Sequence, residues 1–121
     1  MTELGALILF SANLDRAVSF YRALGLPLES EDHEDGPKHF ACELGPTHFA
    51  IFEGDPGTTP SFRSAGSSMP GFAVDSIEEA HTTMKNLQAA IIQEPTEYPW
   101  GPRMLVKDPD GRTVEIFERR S

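Results

Sequence analysis

Residues Tyr98 to Glu118 read YPWGPRMLVKDPDGRTVEIFE, and the rest of the chain takes its meaning from this stretch. Two apolar runs, Met104 to Val106 and Val114 to Phe117, flank Asp108-Pro109-Asp110-Gly111. Pro109 presets φ and Gly111 tolerates a positive φ, so the pattern predicts a β-hairpin. Side chains alternate along a strand, which places Val114 and Ile116 on one face and Thr113, Glu115 and Phe117 on the other. A carboxylate therefore stands between apolar neighbours. Burying Glu115 is costly unless it is hydrogen-bonded, paired or bound to a cation; read locally, a solvated face is the simplest account of it.

Upstream, Met69 to Val74 is a short apolar run. Ser76-Ile77-Glu78-Glu79 then forms a capping box that opens a helix with the stripe Ile77, Ala80, Met84 and Leu87. Ala89 to Pro95 reads as a strand and Thr96 onward as a loop. Gly54 to Ser68 is rich in Gly, Pro, Ser and Thr without periodicity and reads as a linker.

Nearer the start, Leu4 to Phe10 is continuously apolar, which predicts a strand covered on both faces. Asn13 caps a helix carrying Leu14, Ala17, Val18, Tyr21 and Leu24, and Gly25 stops it. Two weaker strands follow, LPLESEDHE and KHFACEL, around the turn Asp35-Gly36-Pro37. After Gly45-Pro46, Thr47 to Glu53 forms another, with His48, Ala50 and Phe52 on one face and Phe49 and Ile51 on the other.

The second half repeats the first. A shift of 63 places Asn13 on Ser76, Leu14 on Ile77, Ala17 on Ala80, Tyr21 on Met84 and Leu24 on Leu87. A shift of 65 places Ile51-Phe52-Glu53 on Ile116-Phe117-Glu118. Each half reads strand, helix, strand, strand, strand. The predicted class is α+β, a single domain over 1–121 with one βαβββ module at 1–54, a linker at 55–68 and a second module at 69–121.

Composition narrows the function. With 121 residues the chain is long enough for one real core. A formal charge of −9 and ten dispersed Lys and Arg residues disfavour nucleic acid and anionic membranes, and weakly suit a cationic ligand. The lone Cys42 has no partner for an intramolecular disulfide and no motif around it. Without a charged, apolar leader pattern or a long apolar run, a cytoplasmic location is the expectation.

A duplicated βαβββ module with NLDRAVSFYRALGL leaving the first strand and WGPRMLVKDPDGRTVEIFE near the end resembles the vicinal oxygen chelate superfamily. That group contains glyoxalase I, extradiol dioxygenases, and fosfomycin and bleomycin resistance proteins. The resemblance implies two modules forming a curved mixed sheet around a cavity. It also implies a half-site in each module, where a first-strand His or Gln and a last-strand Glu hold a divalent ion. Those places fall near Ala6 and Met69 and on Ala50 and Glu115, so only one of four is a ligand. Alanine offers no donor and a thioether is a poor ligand for such ions. Among the histidines, His48 is the best placed to rebuild a site, His39 lies on a neighbouring strand, His33 in an acidic stretch and His81 on the second helix. Isolated histidines more often hydrogen-bond locally.

The expectation is therefore a site without metal or other cofactor, a divalent metal being the alternative. Its lining is Ile8, His48, Phe52, Met69, Arg103, Glu115 and Phe117, with Tyr98 and Trp100 from the loop; aromatic walls with a few polar groups suit small molecules. Trp100 before Gly101 and Pro102 is similar to the WG segment of bleomycin resistance proteins, which sequester a drug. A homodimer that binds a cationic or aromatic small molecule is the resulting expectation, and drug or toxin sequestration its role. The alternative is a glyoxalase-like lyase, isomerase or dioxygenase, using a metal or Glu115 as general base.

Overall fold

Asn13 and Gly25 fix the first helix at its two ends. In the computed structural model of the protein, which describes residues 1–31 and 36–119, the Asn13 side chain accepts from Arg16 N at 3.1 Å. Helix α1 (Leu14–Leu24) ends where Gly25 turns left-handed. Of the expected stripe, Leu14, Ala17, Val18 and Tyr21 are buried at helical spacing, whereas Leu24 is only half-buried and Phe20, not expected there, is buried with them. Strand β1 (Ala6–Ser11) precedes it, and β2 (Glu29–Glu31), β3 (His39–Leu44) and β4 (Thr47–Glu53) follow. The four strands form one mixed sheet in the order β1-β4-β3-β2, with β1 and β4 parallel and the other pairs antiparallel. Residues through Gly57 form one compact unit.

Phe49 and Ile51 of β4 face α1, with the Tyr21 and Phe49 rings 5.5 Å apart. His48, Ala50 and Phe52 take the other face, as alternation requires. One expectation is corrected here. Strand β1 is not covered on both faces: Leu9 is buried, whereas Ile8 and Phe10 are 45% and 62% exposed. A continuous apolar run registers burial by any neighbour, and among the described residues of this unit it is the Leu9 side of β1 that finds one.

The second unit begins at Thr58 and repeats the plan. Strand β5 (Gly71–Ala73), helix α2 (Ile77–Asn86), β6 (Ile91–Tyr98), β7 (Gly101–Lys107) and β8 (Thr113–Phe117) build a mixed sheet in the order β5-β8-β7-β6. Ser76 caps α2 by accepting from Glu79 N, and the Glu118 carboxylate accepts from Ile77 N. Met104, Val106, Val114 and Ile116 are completely buried, giving α2 an apolar face to cover with Ile77, Ala80 and Met84. Leu87, expected to extend that stripe, is instead the C-cap and 43% exposed.

Several boundaries differ from expectation: β1 begins at Ala6 and not Leu4, β2 at Glu29 and not Leu26, and β6 at Ile91 and not Ala89. The strand around Pro95 does not stop there but runs to Tyr98, because β6 is an edge strand with register shifts between Ile91 and Thr96 that accommodate a proline. Of the apolar run Met69 to Val74, Gly71–Ala73 alone forms β5, so Met69 lies before the strand. Of the stretch read as a linker, Thr59 donates to the Asp110 carbonyl at 3.1 Å. The expected turn at Asp35 and the position of His33 lie outside the described residues. No helix is long and apolar enough to cross a membrane, among the described residues.

Candidate functional site

The turn Asp108 to Gly111 sets the register of β7 against β8, and that register builds the site. The Asp108 carboxylate, with no solvent exposure, accepts from Asp110 N and Arg112 N and pairs with the Arg112 guanidinium. Gly111 takes a φ of 85° and donates to the Asp108 carbonyl. With the turn closed in this way, Lys107 lies opposite Thr113, Leu105 opposite Glu115 and Arg103 opposite Phe117. Arg103 and Glu115 are then diagonal neighbours on the face opposite the apolar one, within reach of long side chains.

Arg103 Nη1 donates to Glu115 Oε2 at 2.8 Å, with side chains 27% and 22% exposed. This corrects the solvated-face account of Glu115: the carboxylate is largely enclosed, and a guanidinium neutralises it. Opposite Glu115 on the parallel neighbour β5 stands Gly71. A Cβ there would lie 2.9 Å from Glu115 Oε1 and 3.6 Å from Phe117 Cε1, so the absent side chain is what gives the carboxylate its place.

Around Arg103 the aromatic groups gather. Its guanidinium carbon lies 5.4 Å from the Tyr98 ring centroid. Tyr98 and Trp100, at the two ends of the tight β6–β7 connection, stack with centroids 5.2 Å apart and planes 11° from parallel. Gln93 Nε2 donates to the Tyr98 hydroxyl at 3.2 Å, holding the phenol by its oxygen and leaving its proton to donate. Trp100 is 64% exposed and so does not serve to cover the core.

Tyr98, Trp100, Arg103 and Glu115 thus form one connected cluster, with Phe117 beside Gly71 on the same face. Met69 precedes that sheet and is 38% exposed. His48 and Phe52 belong to the first unit, where they share a face with Ile8 and Ala50 but have different companions. His48 Nδ1 is 2.5 Å from Glu43 Oε1. Phe52 stacks on the buried His39 ring at 4.2 Å, and His39 in turn contacts Glu31 and the Pro37 carbonyl. His81 lies 2.6 Å from Glu94.

Among the described residues, those at the positions the resemblance implies do not supply the ligand set of such a divalent ion. No three His, Cys, Asp or Glu side chains converge among the described residues. The one carboxylate at an implied ligand position, Glu115, has an oxygen on Arg103, and its partner across the parallel pair, Gly71, has no side chain. Sequence reasoning missed Gly71, Gln93 and the pairing of Arg103 with Glu115. A glycine inside a short apolar run is a signal of close approach, and could have pointed to Gly71.

The profile described as Glyoxalase/Bleomycin resistance protein/Dioxygenase superfamily matches residues 3–116. No curated protein matches in sequence. Among solved structures, a glyoxylase/bleomycin resistance protein/dioxygenase domain from Frankia sp. EAN1pec superposes with a TM-score of 0.75 at 18% identity, covering 99% of each chain. A glyoxalase family protein from Enterococcus faecalis gives 0.72 at 21%, covering 96% of this chain and 97% of that one. TioX from Micromonospora sp. ML1 gives 0.71 at 21%, covering 98% and 100%. At these identities the structural likeness speaks for the fold, and the profile for the family.

Proposed function

Because the chain belongs to the Glyoxalase/Bleomycin resistance protein/Dioxygenase superfamily, we propose that it is a small-molecule-binding member that works without a divalent ion. The observation that carries this reading is the Arg103–Glu115 pair, which puts a guanidinium against the one carboxylate at an implied metal-ligand position. The other three positions, Ala6, Ala50 and Met69, supply no suitable donor. What remains is a surface for ligand contact, with Tyr98 and Trp100 as stacked aromatic planes, Arg103 as a hydrogen-bond donor and Phe117 as apolar wall. Sequestration of a drug or toxin, by a homodimer in the cytoplasm, is the role that fits such a protein.

The rival reading is a lyase, isomerase or dioxygenase. As a general base in the first two, Glu115 would have to use Oε1, since Oε2 is held by Arg103. Elemental analysis of protein purified without chelator tests the proposal. We expect no stoichiometric Zn, Ni, Mn or Fe. One ion per chain, lost in Glu115→Gln or His48→Ala, would overturn the proposal in favour of a metalloenzyme.

A further inference from the structure

We propose that the second unit's site takes a planar aromatic ligand bearing an oxygen acceptor, such as a carboxylate, phenolate or ring carbonyl, and that Arg103 is the group that recognises it. The inference rests on the small-molecule reading above and deepens it by naming the ligand class.

A guanidinium carries five N–H donors. In this structure Arg103 makes one hydrogen bond, from Nη1 to Glu115 Oε2, while Nε is enclosed without an acceptor among the described residues. Buried donors left without a partner are rare in native proteins, and an ordered water or a bound group is the usual partner. Nη2 likewise has no acceptor among the described residues, and the side chain is 27% exposed, so its outer edge can meet a ligand. The Tyr98 hydroxyl, already accepting from Gln93, has its own proton left to donate. Donors outnumber acceptors here, which selects a ligand with acceptor oxygens.

Charge points the same way. A cationic ligand drawn to Glu115 would meet the Arg103 guanidinium already on it and would have to displace it. An oxygen acceptor completes the unused side of Arg103 while Glu115 holds the other side in place, as a bidentate-capable guanidinium permits. The aromatic body of the ligand then has Tyr98 and Trp100 alongside: Arg103 contacts Tyr98, and Tyr98 stacks on Trp100, so donor and stacking surface are contiguous.

Trp100 is the only tryptophan, so its indole N–H resonance in a two-dimensional proton–nitrogen spectrum reports on this site alone. The 121-residue chain would be titrated with 2-naphthoate, 2-naphthamide and 2-naphthylmethylamine, which share one ring system and differ in the polar group. The expected result is a Kd for the acid and the amide at least about tenfold lower than for the amine, a difference of ~1.4 kcal/mol. Arg103→Gln should abolish that preference, and Arg103→Lys, which keeps the charge but not the planar fork, should weaken it. Glu115→Gln should retain it. Tightest binding by the amine, or an unchanged preference in both Arg103 variants, overturns the inference. Equal binding of all three probes overturns it while leaving the small-molecule reading in place. No movement of the indole resonance with any probe removes both.

Discussion

Gly71 and Glu115 constrain each other, and the constraint can be measured. Because an added Cβ would sit 2.9 Å from Glu115 Oε1, Gly71→Ala must push the carboxylate aside, and the Arg103 hydrogen bond opposes the push. Gly71→Ala should therefore cost about 1 to 3 kcal/mol in denaturant unfolding, the range for overpacking. The same substitution in a Glu115→Ala background, where the clash is gone, should cost much less. Equal costs in both backgrounds would show that the carboxylate does not occupy this place. Cys42 supplies a second residue-scale test. Burial, and secondarily the charge of Glu43, push its thiol above the ordinary value. The native state thus keeps the thiol proton at pH values where the unfolded chain has released it, so stability falls as pH rises past the unfolded thiol pKa of ~8.5. Unfolding free energies between pH 7 and pH 10 should decline in the parent and decline less in Cys42→Ala. At this scale the sequence allowed every face assignment on β4 and β8 to be read, because alternation is a local property. It did not disclose what neutralises Glu115, since a diagonal partner depends on the register of a different strand.

That register is a property of the hairpin, and Asp108 holds it. Its carboxylate has no exposure, accepts two backbone N–H groups and pairs with Arg112, whose own side chain is 14% exposed. Asp108→Ala removes the acceptor for all three at once, including the carboxylate paired with the enclosed Arg112 guanidinium. Losses of about 3 to 5 kcal/mol are typical of such a break. Thermal unfolding should register a large drop for Asp108→Ala and a smaller one for Asp108→Asn, which keeps one acceptor oxygen. A Tm unchanged in the alanine variant would show that Pro109 and Gly111 alone close the turn. The DPDG signature made the turn legible, and the caps at Asn13 and Ser76 made both helix starts legible, since these signals act within a few residues. Pro95 misled for the opposite reason. Proline argues against a strand in isolation, and its tolerance in β6 depends on that strand lying at the sheet edge, which no local pattern records.

The duplicated plan was legible across the whole chain because cap, stripe and strand recur in order in both halves, whereas the partner of an apolar surface is not written in any one segment. Strand β1 shows this most clearly. It is the edge strand of its sheet, and Leu4, Ile8 and Phe10, which share one alternation phase, are 66%, 45% and 62% exposed. Continuous apolar sequence at an exposed sheet edge is a hazard for a monomer, and nothing charged protects β1 itself. A second copy of the chain is the simplest cover, so light scattering at micromolar concentration should give twice the chain mass. Ile8→Lys places a charge on that surface without touching the buried side of the strand. It should weaken dimerisation by roughly tenfold or more, since removing an exposed isoleucine from such a contact forfeits ~1.5 kcal/mol and ~1.4 kcal/mol is tenfold. Circular dichroism should be unchanged, because Leu9 and Ser11, the buried residues of β1, are untouched. A parent chain that stays monomeric throughout the micromolar range would leave β1 an exposed edge, and would separate small-molecule binding in this protein from any need for a second copy.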